Sequence, residues 1–264
     1  MTEKHLFKCT VMLLLVIIFP LNIYSKKANV SLKKTSKSTT SISSARPKFI
    51  FKNSDEAITD YSFANEPLPI DEARVDRKMK RSLRKHNFRH IQSYVLQNKA
   101  AKLFPVIEPI LAAHHIPDDF KYMALVESGF GDGTSSKGAK GLWQFLPGTA
   151  RTYGLKVGKG IDERMNIRKS TIAACKYLKE LHAEFRSWTL AAAAYNNGEI
   201  KLARSINQQK EHNYFHMHLN HETGIYVYNL IAMKAIISQP KMYGYKKYHN
   251  YYTSLNPSEL LVYN

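Results

Sequence analysis

From about residue 70 onward, apolar positions recur at intervals of three and four; before that they do not. The first spacing is helical, with one face turned to a core. "LFPVIEPILAAHH" reads as an apolar helix opened by its prolines, and Pro117 with Asp118 and Asp119 starts the next, which ends near Gly129. "PGTARTYG" is a short helix with proline at its start and glycine past its end. In "RKSTIAACKYLKELHAEF" the apolar positions are Ile172, Cys175, Leu178 and Leu181, the stripe of a long amphipathic helix. "SWTLAAAAYNNG" is predicted to be capped by Ser187 and stopped by Gly198, its four alanines allowing close helix approach. "ETGIYVYNLIAMKAIIS" is the last long helix before Pro240. Strand signals are scarce, apart from a short ribbon expected in "GLWQF" and the loop around Gly131. The pattern predicts an all-α fold.

One position breaks the logic of the apolar faces. In "YMALVESGF", Glu127 lies three, four and seven residues after Ala124, Met123 and Phe120, so a carboxylate shares their inward face. An ionised carboxylate without a partner is costly to bury, and such an acid is either paired or held neutral for a purpose.

Upstream, the chain changes character. "TVMLLLVIIF", preceded by Lys4 and Lys8 and followed by Pro20 and Ser25, reads as an export signal over 1–25; the bulky Ile23 and Tyr24 leave an uncleaved anchor as the alternative. Residues 26–69 are expected to form a basic, mostly disordered linker, with no carboxylate between Lys26 and Asn53. In "RVDRKMKRSLRKHNFRH", Val75, Met79, Leu83 and Phe88 recur about every four residues, predicting an amphipathic helix with a positive outer face. The assignment is completed by an N-terminal helical extension over 70–98, a main helical domain over 99–245 and a tail over 246–264.

Net charge of +18 over 264 residues points to a polyanionic partner, either an anionic membrane surface or an acidic cell wall. Export disfavours nucleic acid, and none is expected. Of two cysteines, Cys9 falls within the signal, which leaves Cys175 among apolar residues as a buried hydrophobe with no disulfide partner. "HNYFHMHLNH" sets His212 and His216 one helical turn apart, but no HExxH signature accompanies them, and neither metal nor cofactor is expected.

Four short stretches carry the remaining chemistry: "ES" at Glu127–Ser128, "SSKGAKGLWQF" from Ser135, "AYN" at 194–196 and "HETGIYV" from His221. Each alone is weak. In order and spacing, together with "IPDDFKYMALVESGF", "KGAKGLWQFLPGTARTYGL", "IDER" and "KYLKELH", they resemble the lytic transglycosylase domain of the lysozyme superfamily. The likeness is greatest to its membrane-bound D subgroup and covers about residues 100–245. The resemblance implies a goose-type lysozyme/transglycosylase fold and cleavage of peptidoglycan glycan strands between N-acetylmuramic acid and N-acetylglucosamine, in the periplasm or cell envelope, by a monomer.

The residues agree with that expectation. Most glycoside hydrolases use two carboxylates; besides Glu127 the nearby loop offers only Asp132. A single acid, first donating and then accepting a proton, suits a reaction that closes the muramyl C6 hydroxyl onto the anomeric carbon. Glu127 is therefore the expected catalytic residue. Tyr195 resembles the tyrosine whose hydroxyl points at that carboxyl, with a core tyrosine as the alternative. The resemblance places Ser135, or Ser136 in a loop one residue short, near the substrate N-acetyl group, and Glu222 in the saccharide groove, where its other reading is a helix N-terminal acid. Gln144 can both donate and accept to a sugar. Asn196 and Ser128 either contact sugar or finish their helices, and Trp143 either stacks on a sugar or fills the core. A true hydrolase of the lysozyme kind and a non-catalytic wall-binding module remain the competing readings.

Overall fold

The computed structural model describes residues 61–91, 94–129 and 134–245. The signal, most of the linker, the loop with Gly131 and Asp132, and the tail lie outside the described residues. Those described are mainly helical, as the periodicity predicts. The helices are α1 (Ala73–His86), α2 (Phe88–Ile91), α3 (Val95–Ala113), α4 (Phe120–Ser128), α5 (Pro147–Thr152), α6 (Ile167–Phe185), α7 (Trp188–Asn197), α8 (Glu199–Gln209) and α9 (Thr223–Ser238). Two antiparallel ribbons accompany them, β1 (Ser62–Phe63) with β2 (Glu66–Pro67) and β3 (Val157–Gly158) with β4 (Ile161–Asp162).

A single large core runs through α1, α3, α4, α6, α7 and α9. α9 is its axis: Tyr226, Val227, Tyr228, Leu230, Ile231, Ala232 and Met233 are buried all around the helix, as expected of a helix enclosed by others. The alanines Ala191–Ala194 of α7 are fully buried and seat that helix against α6 and α9. Ser187 accepts from the Leu190 amide as the N-cap, and Gly198, at φ +86°, ends the helix.

Several expectations need correction. Residues 61–69 are not linker but the β1–β2 hairpin, whose Phe63 is fully buried with its ring edge-on to Phe120 at 5.0 Å. Asp119 holds the hairpin turn, accepting from the Ala64 amide at 2.7 Å, and Lys234 pairs with the same carboxylate. The Glu66 carboxylate receives the amides of Trp188 and Thr189 and so caps α7 from outside that helix. The extension and the main helical domain are not separate either, because α3 crosses the expected boundary at 98/99 and α1 packs along α9.

Pro105 and Pro109 do not open α3 but lie inside it. Burial of Leu96, Ala100, Leu103, Phe104, Ile107 and Leu111 on its inner face offsets the two missing amide donors. On α6, Ile172 is exposed and Thr171 takes the inward position instead. The reason is Trp143: fully buried, it donates from Nε1 to Thr171 Oγ1 at 2.9 Å. Trp143 is thus a core residue rather than a sugar platform. Thr171→Val should leave the indole N–H unpaired and cost about 1–2 kcal/mol in chemical denaturation; an unchanged midpoint would show that the bond contributes nothing.

Candidate active site

Glu127 stands in the last turn of α4, whose Phe120, Met123, Ala124 and Leu125 are fully buried. Gly129 ends the helix directly afterwards at φ +52°. The acid is therefore carried on the inward face, as the spacing requires, with only part of its side chain reaching solvent. Burial lifts its carboxyl to about 7, with the nearby Glu222 carboxylate pushing in the same direction and a hydrogen bond from Tyr226 opposing both. Near neutrality such a group is divided between its protonated and ionised forms. That division is what a residue serving as acid and then as base requires.

The tyrosine bonded to this acid is not the expected one. Tyr226, in the first turn of α9, donates from its hydroxyl to Glu127 Oε1. Tyr195 instead donates to the Trp143 carbonyl at 2.8 Å, tying the end of α7 to the segment carrying Gln144. Its phenol remains close enough for the Glu127 charge to raise its proton affinity, beyond what burial does. Tyr195 therefore shapes the wall of the site, and Tyr226 makes the contact with the acid. A search for tyrosines one helical turn after the acid of "HETGIYV" finds Tyr226; the "AYN" pattern drew the assignment to Tyr195.

Glu222 and Asn196 meet. Asn196 Nδ2 donates to Glu222 Oε1 at 3.2 Å, while Asn196 Oδ1 accepts from the Thr223 hydroxyl at 3.0 Å. Both amide groups of Asn196 are thus engaged between α7 and α9, and its side chain fixes the exposed Glu222. Asn220 accepts from the Thr223 amide and donates to Asn197, closing the same junction.

The remaining predicted residues divide. Gln144 adopts φ +45°, and its Nε2 donates to the Gly141 carbonyl, leaving the amide oxygen as its acceptor. Lys140 and Phe145 form an isolated antiparallel bridge across the "GLWQF" turn, among the described residues. That turn rests on buried Arg164, which donates to the carbonyls of Gly138 and Phe145 and is held by Asp162. Gly141 lies so close beneath that a Cβ would meet the Arg164 carbonyl oxygen at 2.0 Å. Ser128 is buried and donates to the Leu125 carbonyl, so it finishes its helix. Ser135 is exposed, accepting from the Ala139 amide in its own turn; no contact links it to Glu127. Of the histidine pair, His216 contacts Glu72 at 2.7 Å and holds the 211–222 loop to the start of α1.

The acid, the tyrosine bonded to it and the "GLWQF" turn tied to α7 are the features against which the chain's likeness to known proteins is set. Residues 105–218 match the model of the transglycosylase SLT domain. That segment, somewhat under half of the chain, is similar to the SLT domain. The mainly helical architecture of the described residues is the one the sequence predicts. The SLT match contains Glu127, Gln144, Tyr195 and Asn196 but ends before Glu222 and Tyr226, which α9 brings back to it. The chain is 34% identical over 136 residues to the membrane-bound lytic murein transglycosylase D of Escherichia coli K12, covering 49% of this chain and 30% of that protein. It is also 32% identical over 117 residues to a putative tributyltin chloride resistance protein of Alteromonas, covering 42% of this chain and 56% of that protein. The matched region thus spans less than a third of the murein transglycosylase and just over half of the other relative.

Among the described residues no group of three or more His, Cys, Asp or Glu is placed to hold a metal. Cys175 is fully buried, and burial raises its thiol to about 12, which makes it a poor nucleophile.

Proposed function

We propose that this protein is a peptidoglycan lytic transglycosylase acting in the cell envelope, cleaving the β-1,4 bond between N-acetylmuramic acid and N-acetylglucosamine without water. The observation that carries the reading is the Glu127 carboxyl, held to about 7 by burial and bonded by Tyr226. The likeness of residues 105–218 to the SLT domain supports the substrate class.

The chemistry follows from the acid. Tyr226 engages Oε1, so Oε2 is left to carry the proton toward the cleft. That proton passes to the glycosidic oxygen as the bond to the muramyl anomeric carbon breaks, and the N-acetylglucosamine end departs as an alcohol. The positive charge left on the muramyl carbon is met by the substrate's own N-acetyl group. The muramyl C6 hydroxyl then closes onto that carbon, and Glu127, now a carboxylate, takes the hydroxyl proton. A 1,6-anhydro end forms, the acid is restored, and water is neither added nor lost.

The other residues take supporting roles. Glu222, fixed by Asn196, keeps negative charge near Glu127 and so favours its protonated state before the first transfer. The free amide oxygen of Gln144 accepts from a sugar N–H or hydroxyl, while Tyr195 holds the preceding residue to α7. Ser128 and Ser135 act through the local backbone.

Product masses test the reaction. Digestion of purified peptidoglycan by the full chain should give muropeptides one water lighter than those of a muramidase. Reducing ends in their place would establish the hydrolase, and an absence of cleavage the non-catalytic wall-binding module.

A further inference from the structure

The outer face of α1 contributes no residue to the site around Glu127, and its charge has no use within the fold. The helix, "ARVDRKMKRSLRKH", holds seven Lys and Arg against the single carboxylate of Asp76. Its buried face is Val75, Met79, Ser82 and His86, and it is packed on α9. Two cations turn inward to support that packing: Arg74 donates to the Phe215 carbonyl and Lys78 to the Gly224 carbonyl. Lys80 pairs with Asp76 at 2.7 Å. Arg77, Arg81, Arg84 and Lys85 are exposed and meet no carboxylate among the described residues. At 100° per residue these four lie within one sector opposite the buried stripe, along about two and a half turns of helix.

We propose that this face docks the protein onto a membrane surface of anionic lipid headgroups. Three features select that occupant. The apolar side of α1 is already committed to α9, so the helix attaches by charge and does not insert. The α1 sequence contains no Phe, Tyr or Trp, so its outer face offers no broad ring on which a sugar could stack. A broad array of unpaired Arg and Lys on a convex helix complements a plane of dispersed negative charge, which attracts such clusters additively. The Lys- and Arg-rich stretch of 26–53, without a carboxylate, adds to the same attraction from within the same chain. This inference is independent of the assignment of Glu127.

The test compares the full chain with its Arg77→Gln/Arg81→Gln/Arg84→Gln/Lys85→Gln variant by co-sedimentation with vesicles. One vesicle set contains phosphatidylglycerol in phosphatidylcholine, the other phosphatidylcholine alone. The four changes should lower affinity for the anionic vesicles by about 100-fold or more at low salt, and by much less at high salt as screening takes over. They should make no difference on neutral vesicles, whatever contribution residues 1–60 make there. The far-ultraviolet circular dichroism and thermal midpoint of the variant should stay those of the parent, which shows that the variant is folded. A charge-conserving variant, with Arg77, Arg81 and Arg84 changed to Lys and Lys85 to Arg, should bind like the parent. Equal binding of the Gln variant and the parent to anionic vesicles overturns the proposal. So does a defect that appears with purified peptidoglycan sacculi but not with vesicles, which would make the wall the partner.

Discussion

Replacing Glu127 by Gln is expected to abolish glycan cleavage and at the same time to stabilise the protein in alkaline solution. The amide is isosteric and still accepts from Tyr226, but it neither gives nor takes a proton. The loss should be about 10³-fold or more in kcat, since general acid and general base steps are removed together. Stability follows from the sign of the shift. The carboxyl rises from 4.5 to about 7 in the folded protein, so folding favours the neutral form. Its contribution is fully present below about pH 4.5 and is lost progressively as the pH rises through 7. The always-neutral Gln escapes that loss. Thermal melts of the variant should match the parent near pH 4.5 and exceed it at pH 8 by about 1–3 kcal/mol, allowing for the partial access of the carboxyl to solvent. Matching melts at both pH values, or retained cleavage, would place the carboxyl in open solvent and end the acid–base mechanism.

Tyr226→Phe should produce the second large effect, and a different one. The phenol lowers the proton affinity of Glu127 by bonding its carboxylate form. Without that bond the acid is held still higher, so the alkaline limb of the kcat/KM profile should move to higher pH. The rate at the optimum should fall about 10- to 100-fold, as expected for loss of a hydrogen bond to a charged group that also fixes the rotamer. Tyr195→Phe offers the contrast. Its hydroxyl bonds the Trp143 carbonyl rather than the acid, so its main effect should be on KM, through the position of Gln144, with little movement of the limb. If Tyr195→Phe moves the limb and Tyr226→Phe does not, the roles of the two tyrosines are exchanged.

How much of this was readable beforehand follows from the range of each interaction. The placement of Glu127 behind Phe120, Met123 and Ala124 is a matter of helical period, visible within eight residues. The caps at Ser187 and Gly198 are likewise local, and both ends of α7 fall where those residues predict. The β1–β2 hairpin was hidden because its strands are two residues each and its turn places Ala64 and Asn65 at positive φ. That turn ordinarily advertises itself by Asn-Gly or Asp-Gly. Pro105 and Pro109 signal helix openings only while the burial around them is unknown. Propensity yields to a core that covers one whole face of α3.

By itself, then, the sequence determined the helical architecture and the buried acid, because each is written in spacings shorter than one helix, and it carried the motifs in their order along the chain. Tertiary structure alone decided which phenol reaches that acid. Tyr226 lies 99 positions from Glu127, and only the packing of α9 across α4 and α7 brings its hydroxyl to the carboxyl. The meeting of α7 and α9 joins Asn196 to Glu222, and α6 buries Trp143 against Thr171. Burial and distant partners set proton affinities, and neither is fixed until the helices meet.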